Sequence, residues 1–190
     1  MGLSRRDIPN LITAGRILLV PPVVLLVAER HFSAALGLFV VAGVSDGLDG
    51  FLAKRYGWTS RIGGLLDPLA DKFLLMSCFV TLGVIGLIPV WLVAAVVTRD
   101  LVILGGAFCY QFCIEPLRAA PTVVSKLNTL CQLSLVAALL LDRGLAPLPP
   151  AWIHGLGYVV LATTLISGVE YVWIWGWRAW NHRRGSGRFP

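Results

Sequence analysis

Apolar residues run along the chain in six long blocks, separated by short stretches where Gly, Pro and charged residues collect. Each block is about the length a helix needs to cross a bilayer. Residues 1–8 alternate in polarity and predict a short amphipathic helix at an interface. The first span is predicted from about Pro9 to Val27. Proline suits a helix start, and Pro21–Pro22 predicts a kink, because proline lacks the N–H and its ring clashes one turn back. Glu29, Arg30 and His31 form a short connection to a second span, Phe32 to Tyr56. Its first half is apolar and its second half carries aspartates. Gly57 to Arg61 reads as a polar turn. A third span follows from about Gly64 to Leu87, with Pro68 in its first turn and Gly86, Ile88 and Pro89 in the next connection. The fourth runs from Val90 to Cys113 with Arg99–Asp100 in mid-run, and the fifth from Thr122 to Leu141. Asp142 to Pro150 is a Pro/Gly loop, and the sixth span runs from Ala151 to Trp177. The pattern predicts an all-α fold: six transmembrane helices and a short N-terminal interfacial helix.

Composition agrees. Of 190 residues 57% are hydrophobic and only 14% charged, where a soluble domain would carry about 25% charged residues. Mean hydropathy is +0.79. The first thirty residues resemble a signal peptide in having Arg5 and Arg6 ahead of an apolar run. Arg16 and Pro21–Pro22 interrupt that run and no clean small-residue cleavage site follows, so an uncleaved span is the better reading. Cys78, Cys109, Cys113 and Cys131 all lie in apolar runs without zinc spacing and read as small buried hydrophobes. No internal repeat or inverted pair of halves is visible, which speaks against a transporter.

Charge orients the spans. The net charge is +6. Arg5, Arg6, Lys54, Arg55, Arg61, Arg118, Arg178, Arg183, Arg184 and Arg188 fall on one side, and only Arg30 and Arg143 on the other. The basic excess is therefore topology and attraction to anionic lipid, not nucleic-acid binding. Both termini and the aspartate-rich stretch are expected on the cytoplasmic side. Tyr171, Trp173, Trp175, Trp177 and Trp180 read as an interfacial belt, and His154 as an interfacial residue.

The chemistry gathers in Ser45 to Lys72, which holds Asp46, Asp49, Asp67 and Asp71. The pairs are spaced three and four apart, so each pair shares one face of its helix. A single aspartate at the bilayer centre costs about 2.5–3.5 kcal/mol, so four would cost on the order of 10 kcal/mol without compensation. Divalent cations would neutralise them, and hard carboxylate oxygens suit Mg²⁺, Mn²⁺ or Ca²⁺. Asn10, Thr13 and Arg16, Arg99–Asp100, and Lys126, Asn128 and Thr129 are further polar residues inside apolar runs. They line one cavity or, for Arg99–Asp100, form a structural ion pair; Lys126 alternatively snorkels to headgroups. Gly43 and Gly47 make a small-residue pair suited to close helix packing. Acidic metal ligands among Lys and Arg point to a polyphosphate substrate, and a site within the membrane to one with a lipid anchor.

The run Asp46-x-x-Asp49-Gly50-x-x-Ala53-Lys54, continued by Gly63-x-x-x-Asp67-x-x-x-Asp71, resembles the signature of the CDP-alcohol phosphatidyltransferases. Lys54 stands where that family usually has Arg, which makes the diphosphate contact less bidentate. The resemblance implies one six-helix membrane domain over 1–190, a homodimer, and a reaction that moves a phosphatidyl group from CDP-diacylglycerol to an alcohol. It implies two divalent cations, Mg²⁺ or Mn²⁺, on Asp46, Asp49, Asp67 and Asp71, with Asp71 also the catalytic base. Gly50, Lys54 and Ser60 would face the CDP diphosphate, and Asn10 and Thr13 the cytidine end.

Two later stretches, Thr98-Arg99-Asp100 and Pro121 to Gln132, resemble the cardiolipin-forming branch more than the glycerophosphate branch. The latter usually has Arg-Glu at the first and Lys-x-Lys-Thr at the second, where this chain reads Lys126-Leu127-Asn128-Thr129. A dianionic glycerol 3-phosphate favours two cations, whereas phosphatidylglycerol is a monoanion with a free hydroxyl. The expected acceptor is therefore phosphatidylglycerol, its phosphate held by Arg118 and Lys126 and its glycerol by Asn128. Glycerol 3-phosphate is the alternative acceptor, and a non-catalytic divalent-ion carrier the alternative of another class. The expected location is the bacterial inner membrane or the mitochondrial inner membrane.

Overall fold

The computed structural model is all-helical among the described residues, with six helices: α1 (Ile8–Ala28), α2 (Phe32–Tyr56), α3 (Gly63–Val84), α4 (Val90–Cys113), α5 (Val123–Gly144) and α6 (Pro150–Gly185). The structure describes the backbone over 8–56, 63–113 and 122–185, and side chains over 15–45, at 47, and over 72–106 and 122–174. Residues 1–7, where the interfacial helix is expected, lie outside the described residues. Consecutive helices joined by short turns reverse direction. Residues 8, 56, 63, 113, 123 and 185 therefore mark one end of the bundle, called here the aspartate end.

Punctuation residues set the boundaries. At the far end α1 and α3 stop in the same way. His31 N donates to Leu26 O at 2.8 Å and Arg30 N to Val27 O at 3.1 Å; Leu87 N donates to Leu82 O at 2.9 Å and Gly86 N to Gly83 O at 3.0 Å. This pair of bonds closes a helix when the residue past its cap turns left-handed. Arg30 does so at φ 62° and Gly86 at φ 79°. Gly86 thus ends α3 at Val84, three residues before the expected Leu87. Thr122 is not the first residue of α5 but its N-cap, its hydroxyl accepting from Ser125 N at 3.2 Å. Pro68 falls in the second turn of α3, because the helix already begins at Gly63. Helix α1 is helical on both sides of Pro21–Pro22. The sixth helix continues eight residues past Trp177, the expected end of the span, to Gly185.

The helices close into a ring. α1 packs on α2 and α3, α2 on α5, α5 on α6, α6 on α4 and α4 on α3, while α3 and α5 also touch across the middle. The core fills the far half: Val20, Val23 and Val27 of α1, Phe39 of α2, Leu75, Phe79 and Leu82 of α3, Leu92 and Val96 of α4, Leu135 to Leu140 of α5, and Val160 of α6. Cys78 is buried in it and Cys131 half-buried, both as free thiols. Toward the aspartate end each helix carries a polar side chain among its apolar ones: Arg16, Ser45, Lys72, Arg99, Gln132 and Thr164.

Outside, large apolar side chains such as Leu18, Val84, Val90, Val169 and Trp173 are exposed. An apolar exterior of this extent marks a membrane protein. Among the described residues, Val123–Gly144 and Pro150–Ile174 are long and apolar enough to cross a membrane. The glycine pair Gly43 and Gly47 does not pack as expected. A Cβ on either would meet nothing within 4 Å, so neither makes a close helix contact in this chain among the described residues.

Gly144 is the close approach instead. A Cβ there would lie 2.6 Å from Ser33 N and 2.8 Å from Phe32 C, both backbone atoms that cannot swing aside. Gly144→Ala should therefore push the end of α5 off the start of α2 and destabilise the fold by about 1–3 kcal/mol. A fall in melting temperature of the detergent-solubilised protein is the measure.

Candidate active site

Helices α2 and α3 carry the two aspartate pairs, one toward the end of α2 and the other toward the start of α3. Both pack on α1 and on α5. Asp46 and Asp49 lie in the last three turns of α2, with Gly50 and Lys54 following, and Asp67 and Asp71 in the first three turns of α3. The side chains of these residues, and of Asn10 and Thr13 on the first turns of α1, lie outside the described ones. Ser60 and Arg118 lie outside the described residues altogether. The backbone thus brings both aspartate pairs to the same end of the bundle, with Asn10 and Thr13 on the neighbouring α1.

Directly toward the core from this end, the described side chains form a charged layer. Asp100 of α4 accepts on one oxygen, Oδ1, from two cations: Lys72 Nζ of α3 at 2.7 Å and Arg99 Nη1 at 2.6 Å. Arg99 and Asp100 are 3% and 1% exposed in their side chains, and Lys72 18%. At this burial a charge must be paired, since the desolvation cost of a lone ion exceeds anything packing returns. Arg99 Nη2 also donates to Ser125 Oγ of α5 at 2.8 Å and to Ser167 Oγ of α6. Its Cζ lies 5.9 Å from the centre of the Tyr171 ring, within cation–π reach. So Arg99–Asp100 is an ion pair, as one of the two readings held, and it reaches three further helices. Tyr171, expected in the interfacial belt, is half-buried beside it.

Asn128 and Lys126 differ sharply. Lys126 is exposed in the first turn of α5. Asn128 is fully buried, and its Oδ1 accepts from Thr163 Oγ1 and Thr164 Oγ1 of α6, both at 2.9 Å. Its Nδ2, and both amide atoms of Gln132 one turn on, have no hydrogen-bond partner among the described residues. What Asn128 has left for a ligand is therefore a donor. Thr122 Oγ1 donates to Glu170 Oε2 at 2.9 Å, a second α5–α6 tie near the aspartate end.

Sequence reasoning passed over Lys72, Ser125, Thr164, Ser167 and Glu170. A signal existed for Lys72: Asp100 in mid-span demands a cation, and Lys72 lies in mid-run next to Asp71. The hydroxyls carry no such signal, because Ser and Thr inside membrane helices commonly bond their own backbone, as Thr81 does to Ser77 O at 2.7 Å. A groove of about 1070 Å³ between α4 and α6 opens on the exterior, lined among the described residues by Trp91, Ala95, Thr98, Gly168 and Trp173 with Arg99. His154 is exposed beside a smaller hollow at the far end.

The described residues thus form a helical membrane protein with two aspartate pairs toward one end and a paired charge layer, Lys72, Arg99 and Asp100, next to them. The chain belongs to the CDP-alcohol phosphatidyltransferase family, whose model matches residues 6–170. It is 38% identical over 147 residues to "Cardiolipin synthase (CMP-forming)" of Rattus norvegicus, covering 69% of this chain and 49% of that protein. It is 31% identical over 188 residues to "Probable cardiolipin synthase (CMP-forming)" of Drosophila melanogaster, covering 87% of this chain and 56% of that one. A chloroplastic "CDP-diacylglycerol--glycerol-3-phosphate 3-phosphatidyltransferase 1" of Oryza sativa is 34% identical over 183 residues, covering 87% and 56%. The chain thus spans about half the length of the curated relatives it matches.

Asn128 tests the α5–α6 contact. Asn128→Leu removes the acceptor that Thr163 and Thr164 share; Thr163 can still donate to Val159 O at 2.9 Å, but the buried Thr164 hydroxyl is left facing an apolar side chain. A loss of about 1–3 kcal/mol is expected, read as a lower melting temperature, with Thr164→Val in the same background restoring part of it.

Proposed function

We propose that this chain transfers a phosphatidyl group from CDP-diacylglycerol to a hydroxyl of phosphatidylglycerol, giving cardiolipin and CMP. The observation that carries this reading is the placement of both aspartate pairs, at the family's spacing, on the last turns of α2 and the first turns of α3, two helices that both pack on α1 and α5. The match to relatives named as cardiolipin synthases supports the acceptor. In this reading the chain is a single domain of six spans, a homodimer, with both termini and the site on the cytoplasmic or equivalent side of a bacterial or mitochondrial inner membrane.

Asp46, Asp49, Asp67 and Asp71 would hold two divalent cations; their all-carboxylate chemistry fits Mg²⁺ or Mn²⁺. When bound, such ions neutralise the diphosphate and the charge left on CMP. Gly50, Lys54 and Ser60 would contact the diphosphate, and Asn10 and Thr13 the cytidine. Lys126, exposed at the start of α5, and Arg118 would hold the acceptor phosphate, with the Asn128 amide donating toward its glycerol. The acceptor oxygen attacks the phosphorus bonded to diacylglycerol, its proton passes to Asp71, and the bond from that phosphorus to CMP breaks. Asp71 beside cations is a weak base, so alignment of the hydroxyl supplies most of the advantage.

A second reading has its own observation. The rice glycerol-3-phosphate phosphatidyltransferase is 34% identical over 87% of this chain, beside 31% over the same share for the Drosophila protein. In that reading glycerol 3-phosphate is the acceptor.

Purified protein supplied with labelled CDP-diacylglycerol, Mg²⁺ or Mn²⁺, and either acceptor should release CMP, and with phosphatidylglycerol should form cardiolipin by mass. Asn at Asp46, Asp49 or Asp67 should abolish turnover, as should chelation, while the helical content is kept. Asp71→Asn should cut turnover far more than it weakens donor binding. Ready formation of phosphatidylglycerophosphate with no cardiolipin would establish the second reading. No CMP with any acceptor, alongside metal flux in liposomes, would establish an ion carrier.

A further inference from the structure

Lys72, Arg99 and Asp100 have no part in the chemistry just proposed, yet they are the best-connected charges in the described structure. Lys72 is the residue after Asp71. Successive residues on an α-helix point about 100° apart, and residues four apart share a face. Fixing the direction of Lys72 therefore fixes the rotation of α3 about its axis, and with it the face that carries Asp67 and Asp71. Lys72 is fixed by its 2.7 Å bond to Asp100 on α4. Asp100 is fixed by Arg99 at 2.6 Å, and Arg99 by Ser125 on α5 and Ser167 on α6. Gly168 faces the Arg99 stem: a Cβ there would make ordinary van der Waals contact, 3.7 Å from Arg99 Cγ. Ser125 is in turn the neighbour of Lys126. One line of bonds thus runs from the residue beside Asp71 to the residue beside Lys126.

We propose that Lys72, Asp100, Arg99, Ser125 and Ser167 form a positioning bridge that sets the Asp67/Asp71 face of α3 against the start of α5. The proposal rests on the reading of Asp67 and Asp71 as metal-binding. Stability does not account for the bridge, since buried ion pairs are often no more stabilising than apolar residues of the same volume. Geometry does: a displacement of about 1 Å at a reacting group costs on the order of a hundredfold in rate. These are positioning residues. Nothing requires any of them to touch substrate or metal.

The test uses the full chain, purified in detergent, with four readouts: kcat, KM for CDP-diacylglycerol, Mn²⁺ affinity by paramagnetic resonance, and melting temperature. Asp100→Asn weakens the bond to Lys72 but leaves a buried charge exposed to misfolding. The double variant Ser125→Ala/Ser167→Ala keeps every charge paired and only frees Arg99. We expect Asp100→Asn to lower kcat by about thirtyfold or more and Mn²⁺ affinity by about fivefold, with KM for CDP-diacylglycerol within about twofold. The serine double variant takes both hydroxyl acceptors from Arg99 Nη2 and should melt below the wild type but above Asp100→Asn, with kcat per folded molecule down about fivefold. A serine double variant with wild-type kcat and Mn²⁺ affinity would overturn the bridge. So would losses in both variants that follow only the folded fraction. Wild-type protein that neither binds Mn²⁺ nor releases CMP would overturn the functional reading and the bridge with it. Wild-type protein that does both, beside unaffected variants, would overturn the bridge alone.

Discussion

A carboxylate buried among helices in an apolar surround must find positive charge within hydrogen-bond distance, or it will not stay ionised. Asp100 meets this condition through a single oxygen, which Lys72 and Arg99 share. Much of the bundle's arrangement depends on it. The two cations arrive from different directions, one across from α3 and one along α4. The surplus donors of Arg99 then need partners of their own, which Ser125 and Ser167 supply from α5 and α6. One ion group in this way holds four helices at a common level. Below that level the helices meet through Val, Leu and Phe, which pack without direction. At it they meet through groups that accept only certain geometries.

That division explains what could be read from the sequence and what could not. Six helices were legible because apolar length and Pro/Gly punctuation are local properties. The ends were less so, because hydropathy reports where the chain leaves the apolar layer, not where the backbone stops being helical. Residues 178–185 are polar, rich in Arg, and still helical. The third helix errs the other way. Leu87 and Ile88 are apolar enough to extend it, but Gly86 turns left-handed and the helix closes at Val84. Gly43 and Gly47 show the limit of a spacing motif. It says that a close approach is possible, and the helices came together at Gly83 and Gly144 instead.

The site divides similarly. Four aspartates at fixed spacing were legible because their cost in a membrane is large and needs a specific remedy. Arg99–Asp100 was legible as a pair but not as a junction, since its other partners lie 26 to 68 residues away. Lys72 was overshadowed by Asp71. A Ser or Thr on a membrane helix usually satisfies itself, so Ser125, Ser167 and Thr164 became visible only when the helices were packed.

Asn128 shows why one substitution cannot be read apart from its packing. By sequence it stands where the glycerophosphate branch carries a second lysine, which invites a simple exchange of cation for amide at the acceptor. In the structure the position is fully buried, three residues from Ser125 on α5 and bonded to Thr164, itself three residues from Ser167 on α6. The layer one turn away already sets two cations, Lys72 and Arg99, against one carboxylate, Asp100. A lysine at 128 would bring a third positive charge into that neighbourhood and take from the buried Thr164 hydroxyl the oxygen it now donates to. It would require an anion close by, from the protein or from a bound phosphate. The residue at 128 thus reports the charge balance of the bundle interior: an amide there adds no charge to a layer in which two cations already share one carboxylate.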